Sequence, residues 1–369
     1  MVGLKNGCVE RCPGCSHRSL SMQESHAQKE GWIKKQLKAW QEKVEFIRSV
    51  KESRRWGYRR KILLKTEFNN NHWEFGMIRR DEFIAIPQCP VHAAITRKLI
   101  LLLTSALPPF QVFPLAYLSQ SNALVTLVLK TKQMPAVNWM TDDFIKELQS
   151  IGIKGLSLHL NPSAGRRMFA KNGWYQLWGD DHAYNDSGLM YGRTSFSQLI
   201  HELHCQSLDE AEMFLEPEPD DCVVDLYCGI GSSLIRWSKR GARIIGVETG
   251  GEAVHCARIN APQAEVLRGT CRHRLPQLQQ WIDNVHQPQK KKLLYVNPPR
   301  TGIEPEVLKW ITEEMKPHRL AYLSCSMGTL RRDMEMLVSK GFIIRRVIPY
   351  DFFPQTHHVE CLTLADSIR

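Results

Sequence analysis

Apolar and polar positions follow two regimes along this chain. From about Ser207 onward, short uninterrupted apolar runs alternate with amphipathic stretches. Cys222–Leu226, Arg243–Glu248, Lys292–Val296 and residues 320–323 and 342–347 read as strands, and helical patterns begin at Ser233 and cover residues 252–260. Runs apolar at every position belong to strands covered on both faces, and their alternation with helices predicts a doubly wound, mostly parallel sheet. The pattern before Ser207 is more mixed. Residues 61–65, 83–86, 123–129 and 155–160 read as strands, and residues 92–103 and 144–151 as helices, with Pro108-Pro109 closing the first helix. Ile33, Leu37, Trp40, Val44 and Ile47 recur at helical spacing. These patterns divide the chain into an N-terminal region (1–92), an α+β central region (93–206) and an α/β C-terminal domain (207–369).

Charge adds a partner class. The 369 residues carry a formal net charge of +11, which favours an acidic partner, most simply nucleic acid. Basic residues crowd between Lys29 and Lys65, interleaved with Trp32, Trp40, Trp56 and Tyr58. Cations there can neutralise phosphates while aromatic faces stack on unpaired bases. No early segment resembles a secretory leader, and the longest apolar run, Leu99 to Leu103, is far too short for a membrane span. These features give the expectation of a cytoplasmic protein without membrane contact. In a reducing compartment the eleven cysteines are no disulfide framework. Cys8, Cys12 and Cys15 lie within eight residues, and Cys89 follows a strand in a Cys-Pro turn. Four thiolates suit zinc or a [4Fe–4S] cluster, and spacing does not separate the two. His17 and Cys205 are further thiol or imidazole candidates.

Candidate chemistry concentrates in the C-terminal domain. Asp225-x-x-x-Gly229-x-Gly231 follows one strand, and Glu248 ends the next. Glycines let the backbone approach a nucleotide, and a carboxylate at that place can bind both ribose hydroxyls. Leu234 occupies the position of a third glycine, which disfavours a dinucleotide and suits S-adenosylmethionine (SAM), a ligand with ribose but no phosphate. Asn297-Pro298-Pro299-Arg300 forms a stiff turn after a strand, where ligands of such sheets bind. Cys325 follows the strand at 320–323, and Glu360 lies near the end of the chain. A thiol nucleophile and a carboxylate base suit covalent attack on an electron-poor ring. On uracil, the thiol would add at C6 and the base would remove the C5 proton after methylation.

Taken in order, these motifs resemble those of the RNA uracil-C5 methyltransferases, the SAM-dependent family that makes 5-methyluridine in tRNA and 23S rRNA. The motifs are Tyr58-Arg59-Arg60-Lys61, Ser195-Phe196-Ser197-Gln198, the Asp225–Gly231 turn, Gly246-Val247-Glu248, Asn297-Pro298-Pro299-Arg300, Ser324-Cys325 and His358-Val359-Glu360. The resemblance implies a Rossmann-like class I methyltransferase domain, preceded by the α+β region and an N-terminal iron–sulfur segment. It assigns Gln198, Tyr227, Glu248 and Asn297 to SAM, Cys325 and Glu360 to catalysis, and Cys8, Cys12, Cys15 and Cys89 to a structural [4Fe–4S] cluster, with zinc as the alternative. Asn297, and a chain that starts directly at the cysteines, are similar to the short 23S rRNA type, which sets the expectation of a monomer acting on 23S rRNA. Uridine methylation in tRNA and a non-catalytic iron–sulfur RNA-binding homologue are the other readings. The chain departs from the family pattern at Ser197, Ile200, Thr270, Ser326 and Met327. The first two lie in the Gln198 motif, Thr270 at the usual adenine contact, and the last two directly after the nucleophile.

Overall fold

The computed structural model describes residues 3–166 and 168–368. They divide into two compact units, one formed by residues 3–20 with Lys51–Thr194, the other by Ser21–Val50 with the chain from Ser195 onward. Helix α1 (Met22–Gln36) therefore belongs with the C-terminal unit. Ser21 starts it with a capping box: its hydroxyl accepts from the Glu24 amide at 3.2 Å, and the Glu24 carboxylate accepts from the Ser21 amide at 2.8 Å. The predicted helical run through Ile47 is interrupted. α1 ends at Gln36, a 3-10 turn spans Lys38–Lys43, and Val44 and Arg48 then form parallel bridges to Val347 and Tyr350. The apolar spacing was met all the same, because Ile33 and Leu37 are fully buried and Trp40, Val44 and Ile47 pack on the same core.

The first unit is built on β1 (Lys61–Asn69), β2 (His72–Arg79), β3 (Glu82–Ala85), α2 (Ala94–Ala106), β4 (Leu115–Ser121), β5 (Leu124–Leu129), α3 (Asp142–Ser150), β6 (Gly155–Leu160) and β7 (Trp174–Gly179). Its sheet runs β3-β2-β1-β4-β5-β6-β7, antiparallel except where α3 connects β5 to its parallel neighbour β6. A short pair, β8 (His182–Tyr184) with β9 (Met190–Gly192), completes it. The expected boundary at residue 92 falls inside this unit, because β1 hydrogen-bonds along β4 from Lys61↔Ser121 to Lys65↔Tyr117. A composition shift does not register that pairing.

The second unit continues with α4 (His201–Leu215), β10 (Cys222–Leu226), α5 (Leu234–Ser238), β11 (Arg243–Glu248), α6 (Gly251–Asn260), β12 (Glu265–Arg268), α7 (Cys271–Val285), β13 (Lys292–Val296), α8 (Pro305–Trp310), β14 (Arg319–Ser324), α9 (Met327–Ser339), β15 (Phe342–Tyr350) and β16 (Glu360–Ser367). The expected boundary at residue 206 lies within α4. The sheet order is β12-β11-β10-β13-β14-β16-β15. The first five strands are parallel, and β16 inserts antiparallel between β14 and β15. This is the doubly wound sheet the apolar runs predicted. Its central strand β10 is buried throughout, and β14 after its first residue, as helices on both faces require. The antiparallel β16 has a direct consequence: its N-terminal end lies at the carboxyl ends of β10, β11, β13 and β14, where open α/β sheets bind ligands.

Candidate active site

The glycine turn after β10 is conformationally demanding. Tyr227, Gly229 and Gly231 have φ of 62°, 56° and 83°. A Cβ on Gly231 would stand 3.1 Å from the Ala257 Cα, so glycine there lets α6 approach the turn. A Cβ on Gly229 would meet nothing within 4 Å, which leaves open space over the turn. Glu248, at the end of the neighbouring β11, accepts the Gly229 amide at 3.1 Å on one oxygen. Its other oxygen accepts the Gly250 amide at 2.7 Å and the Thr249 hydroxyl at 3.1 Å. The carboxylate thus fixes two loops at once and stays half-buried beside the open turn. Asn297 lies across from it on the other side of β10, where its amide extends the ladder by donating to the Leu226 carbonyl at 3.2 Å. Glu248, the glycine turn and Asn297 therefore line the same strand ends and fit a ribose-bearing ligand. Tyr227 is different: its ring packs on the core and its hydroxyl donates to Glu304. Asp225, fully buried, accepts from Trp237 Nε1 at 2.9 Å, and burial lifts its carboxyl to about 7.

The register of β14 and β16 builds the second half of the site. Ser324 pairs with Cys361, so the next residue of β14's chain, Cys325, and the preceding residue of β16, Glu360, meet at the open end of the sheet. Glu360 is 3% exposed. Burial raises its carboxyl to about 7, against the downward pull of a hydrogen bond from Gln198 and of the Arg300 charge. Gln198 Nε2 donates to Glu360 Oε2 at 2.9 Å, so the residue expected at SAM also holds the candidate base. Burial and the Glu360 charge raise the half-buried Cys325 thiol above its ordinary value. The Arg300 guanidinium opposes both by its charge and by donating a hydrogen bond to the sulfur. One exposed arginine from the Asn-Pro-Pro-Arg turn therefore acts on both the thiol and the carboxyl. A thiol, a carboxyl neutral or ionised near pH 7 and a cation can add to an enone ring and later take a proton from it.

Two departures from the family pattern have structural roles. Thr270 caps α7, its hydroxyl accepting from the His273 amide at 3.3 Å. Ser326 precedes α9, and its carbonyl accepts from Ser324, from Thr329 at 3.2 Å, and from the Leu330 amide at 2.9 Å. The structure also shows pairs that sequence reasoning missed, Ser195 with Glu252 and Tyr227 with Glu304, because no local spacing marks a contact so distant along the chain.

The four cysteines lie in the first unit. Gly7 has φ of 81°, and a Cβ on it would overlap the Gln88 carbonyl at 2.2 Å, so the N-terminal segment lies directly on the chain before Cys89. Burial raises the Cys15 thiol to about 12, and Cys89, Cys12 and Cys8 all add to that effect. The Gly14 amide points at Cys12 Sγ at 3.4 Å, and the Val91 and His92 amides at Cys89. Among the described residues no three metal-ligating side chains are drawn as close as a bound ion would hold them. Cys205 belongs to α4 in the other unit, 3.3 Å from His201 Nε2.

Charged residues between 29 and 65 do not form a single face. Lys29 is fully buried, bonded to Asp351 at 2.5 Å and to the Phe353 carbonyl at 3.1 Å, and Arg55 is 3% exposed. Lys34, Lys35, Lys38, Lys43, Lys51 and Arg54 are exposed, as is Trp32.

A family model described as tRNA (Uracil-5-)-methyltransferase matches residues 281–367, the segment carrying Asn297, Arg300, Cys325 and Glu360. The 23S rRNA (uracil(1939)-C(5))-methyltransferase RlmD of Shewanella woodyi is 28% identical over 371 residues, covering 96% of this chain and 80% of that protein. The chain is thus similar to RNA uracil-C5 methyltransferases over nearly its whole length. An uncharacterized RNA methyltransferase of Oceanobacillus iheyensis is 30% identical over 251 residues, 65% of this chain and about half (52%) of that relative's length. The fold is that of Pyrococcus abyssi tRNA (uracil-54, C5)-methyltransferase, solved with S-adenosyl-L-homocysteine, at a TM-score of 0.71 and 21% identity over 96% of this chain and 86% of that one.

Proposed function

We propose that this protein is a SAM-dependent 23S rRNA (uracil-C5)-methyltransferase that forms 5-methyluridine. The observation that carries the reading is the meeting of Cys325, Glu360 and Arg300 at the open end of β14 and β16. Glu248, the Gly229 turn and Asn297 would hold SAM, with Gln198 and Tyr227 supporting the site through Glu360 and Glu304. Bound there, SAM supplies an electrophilic methyl group. The target uridine must leave its stack to reach the thiol. Cys325, as thiolate under Arg300, adds to uracil C6 and leaves C5 nucleophilic. Once C5 carries the methyl group, Glu360 accepts the C5 proton and the C6–sulfur bond breaks. The rRNA assignment is supported by the Shewanella relative at 28% identity and 80% coverage; the Pyrococcus likeness keeps tRNA as the second substrate class. The exposed lysines and Trp32 offer phosphate and base contacts. The cysteine segment is proposed to hold a [4Fe–4S] cluster, since backbone amides aim at two of the four thiols, as they do around cluster thiolates.

Trapping tests the mechanism. Glu360→Gln keeps the Gln198 hydrogen bond but cannot take the C5 proton. With SAM and uridine-containing rRNA fragments it should accumulate a methylated covalent RNA–protein adduct, seen as a mass shift on Cys325. A folded Glu360→Gln protein that binds SAM and forms no adduct refutes the covalent mechanism. Fragments and tRNA run in parallel decide the substrate class.

A further inference from the structure

The turn that carries Arg300 does not hold its own shape. Gly302 has φ of 76°, and a Cβ there would stand 2.8 Å from the Arg332 guanidinium and from Thr329 Cβ, and 2.9 Å from Asp333 Oδ2. Helix α9 is therefore pressed against the turn from below, with three side chains bonded to it. Thr329 Oγ1 donates to the Arg300 carbonyl at 3.4 Å, and Arg332 donates to the Thr301 and Ile303 carbonyls at 3.4 and 3.0 Å. Asp333, fully buried, accepts the Ile303 amide at 3.1 Å. Asp333 is itself fixed from two directions, by the Tyr322 hydroxyl of β14 at 2.8 Å and by Arg332 at 2.7 to 2.8 Å. The helix that begins directly after Cys325 thus grips the turn that supplies the cation beside Cys325. Both halves of the Arg300–Cys325 contact are tied to one rigid element.

We propose that Thr329, Arg332 and Asp333 are positioning residues: they set Arg300 against the Cys325 thiol and so determine how readily that thiol becomes a nucleophile. The charged groups facing the thiol are Arg300 from this turn and Glu360 from β16. Releasing the turn leaves Glu360 and removes the group that opposes it. This inference rests on Cys325 as the nucleophile, but its readout does not. The loss of the cation contact raises the thiol further and lowers the thiolate fraction at a given pH.

The experiment is alkylation of the full-length protein with iodoacetamide across pH, followed peptide by peptide so that Cys325 is read apart from the other cysteines. Arg332→Lys keeps the charge on a half-exposed side chain but removes the guanidinium whose Nη2 reaches both carbonyls while its Nε holds Asp333. Asp333→Asn keeps the shape of the buried side chain and removes one acceptor. Arg331→Lys, on an exposed residue paired with Glu335, is the control. Arg332→Lys and Asp333→Asn should move the Cys325 alkylation profile to higher pH, in the same direction as Arg300→Ala, while Arg331→Lys leaves it in place. The proposal is overturned if Arg300→Ala moves the profile and the two α9 variants, folded by circular dichroism, do not. It is also overturned if Arg300→Ala itself has no effect. Cys325→Ala retaining methyl transfer would instead refute the catalytic reading and leave the alkylation result standing.

Discussion

At the scale of single residues, Glu360 is where burial and chemistry meet. In the unfolded chain its carboxyl ionises in the ordinary range; in the fold, burial holds it neutral up to about 7. Between those two values the unfolded state gives up a proton that the folded state keeps. Folding stability due to this residue is therefore present at low pH and is lost as pH rises through about 7. The loss is on the order of 3 kcal/mol for a carboxyl raised from its ordinary 4.5 to about 7. Glu360→Gln has no proton to lose, so its stability relative to the wild type should rise from about pH 4 to about pH 8 in urea denaturation. The same difference at both pH values would contradict the burial assigned here. In the proposed mechanism it is the ionised form, populated as pH rises through about 7, that would take the C5 proton. Sequence named Cys325, Glu248 and Asn297 because each follows or ends a legible strand, and Glu360 from its late His358-Val359-Glu360 motif. It could not show the bond of Gln198 to Glu360, 162 residues away, or find Asp333, whose bonds join a turn and a strand to α9.

Among the elements, α1 shows how a charge pattern misleads. Lys29 counted among cations facing nucleic acid, yet both it and Asp351 are fully shielded from solvent. His26, at 3.2 Å from Asp351, shares the same carboxylate. The pair fastens α1 to the segment between β15 and β16, directly before His357, His358 and Glu360. Removing one member of a buried pair leaves an uncompensated charge and costs about 3–5 kcal/mol. Lys29→Met should accordingly lower the urea midpoint, and the double variant Lys29→Met/Asp351→Leu should recover a large part of the loss. A Lys29→Met protein as stable as the wild type would show that the pair carries no such load. Strands of the parallel sheet were legible because continuous apolar runs of five or six residues have few other solutions. β2, β4 and β12 were not, since mixed or polar strands resemble loops until a neighbour supplies their hydrogen bonds.

For the whole molecule, the two units separate the proposed cofactors: the SAM residues lie in the unit containing β10 to β16, the four cysteines in the other. A bound cluster would stabilise only the unit that holds it. Protein purified without oxygen should contain about four iron and four sulfide per chain, whereas zinc ligation would give about one zinc and no sulfide. Cys89→Ala should lose the metal and become protease-sensitive within residues 3–20 and 51–194, with SAM binding retained. A metal-free wild-type protein would refute the cluster. By itself the sequence determined the parallel sheet and the glycine turn and singled out the candidate ribose carboxylate and reacting groups, because periodicity and short motifs are local properties. Only the tertiary structure decided that residues 21–50 join the C-terminal unit, that Lys29 is internal, and that β16 runs antiparallel. That last choice brings Glu360 to Cys325, and α9 brings Arg300 to both, through contacts that no spacing along the chain encodes.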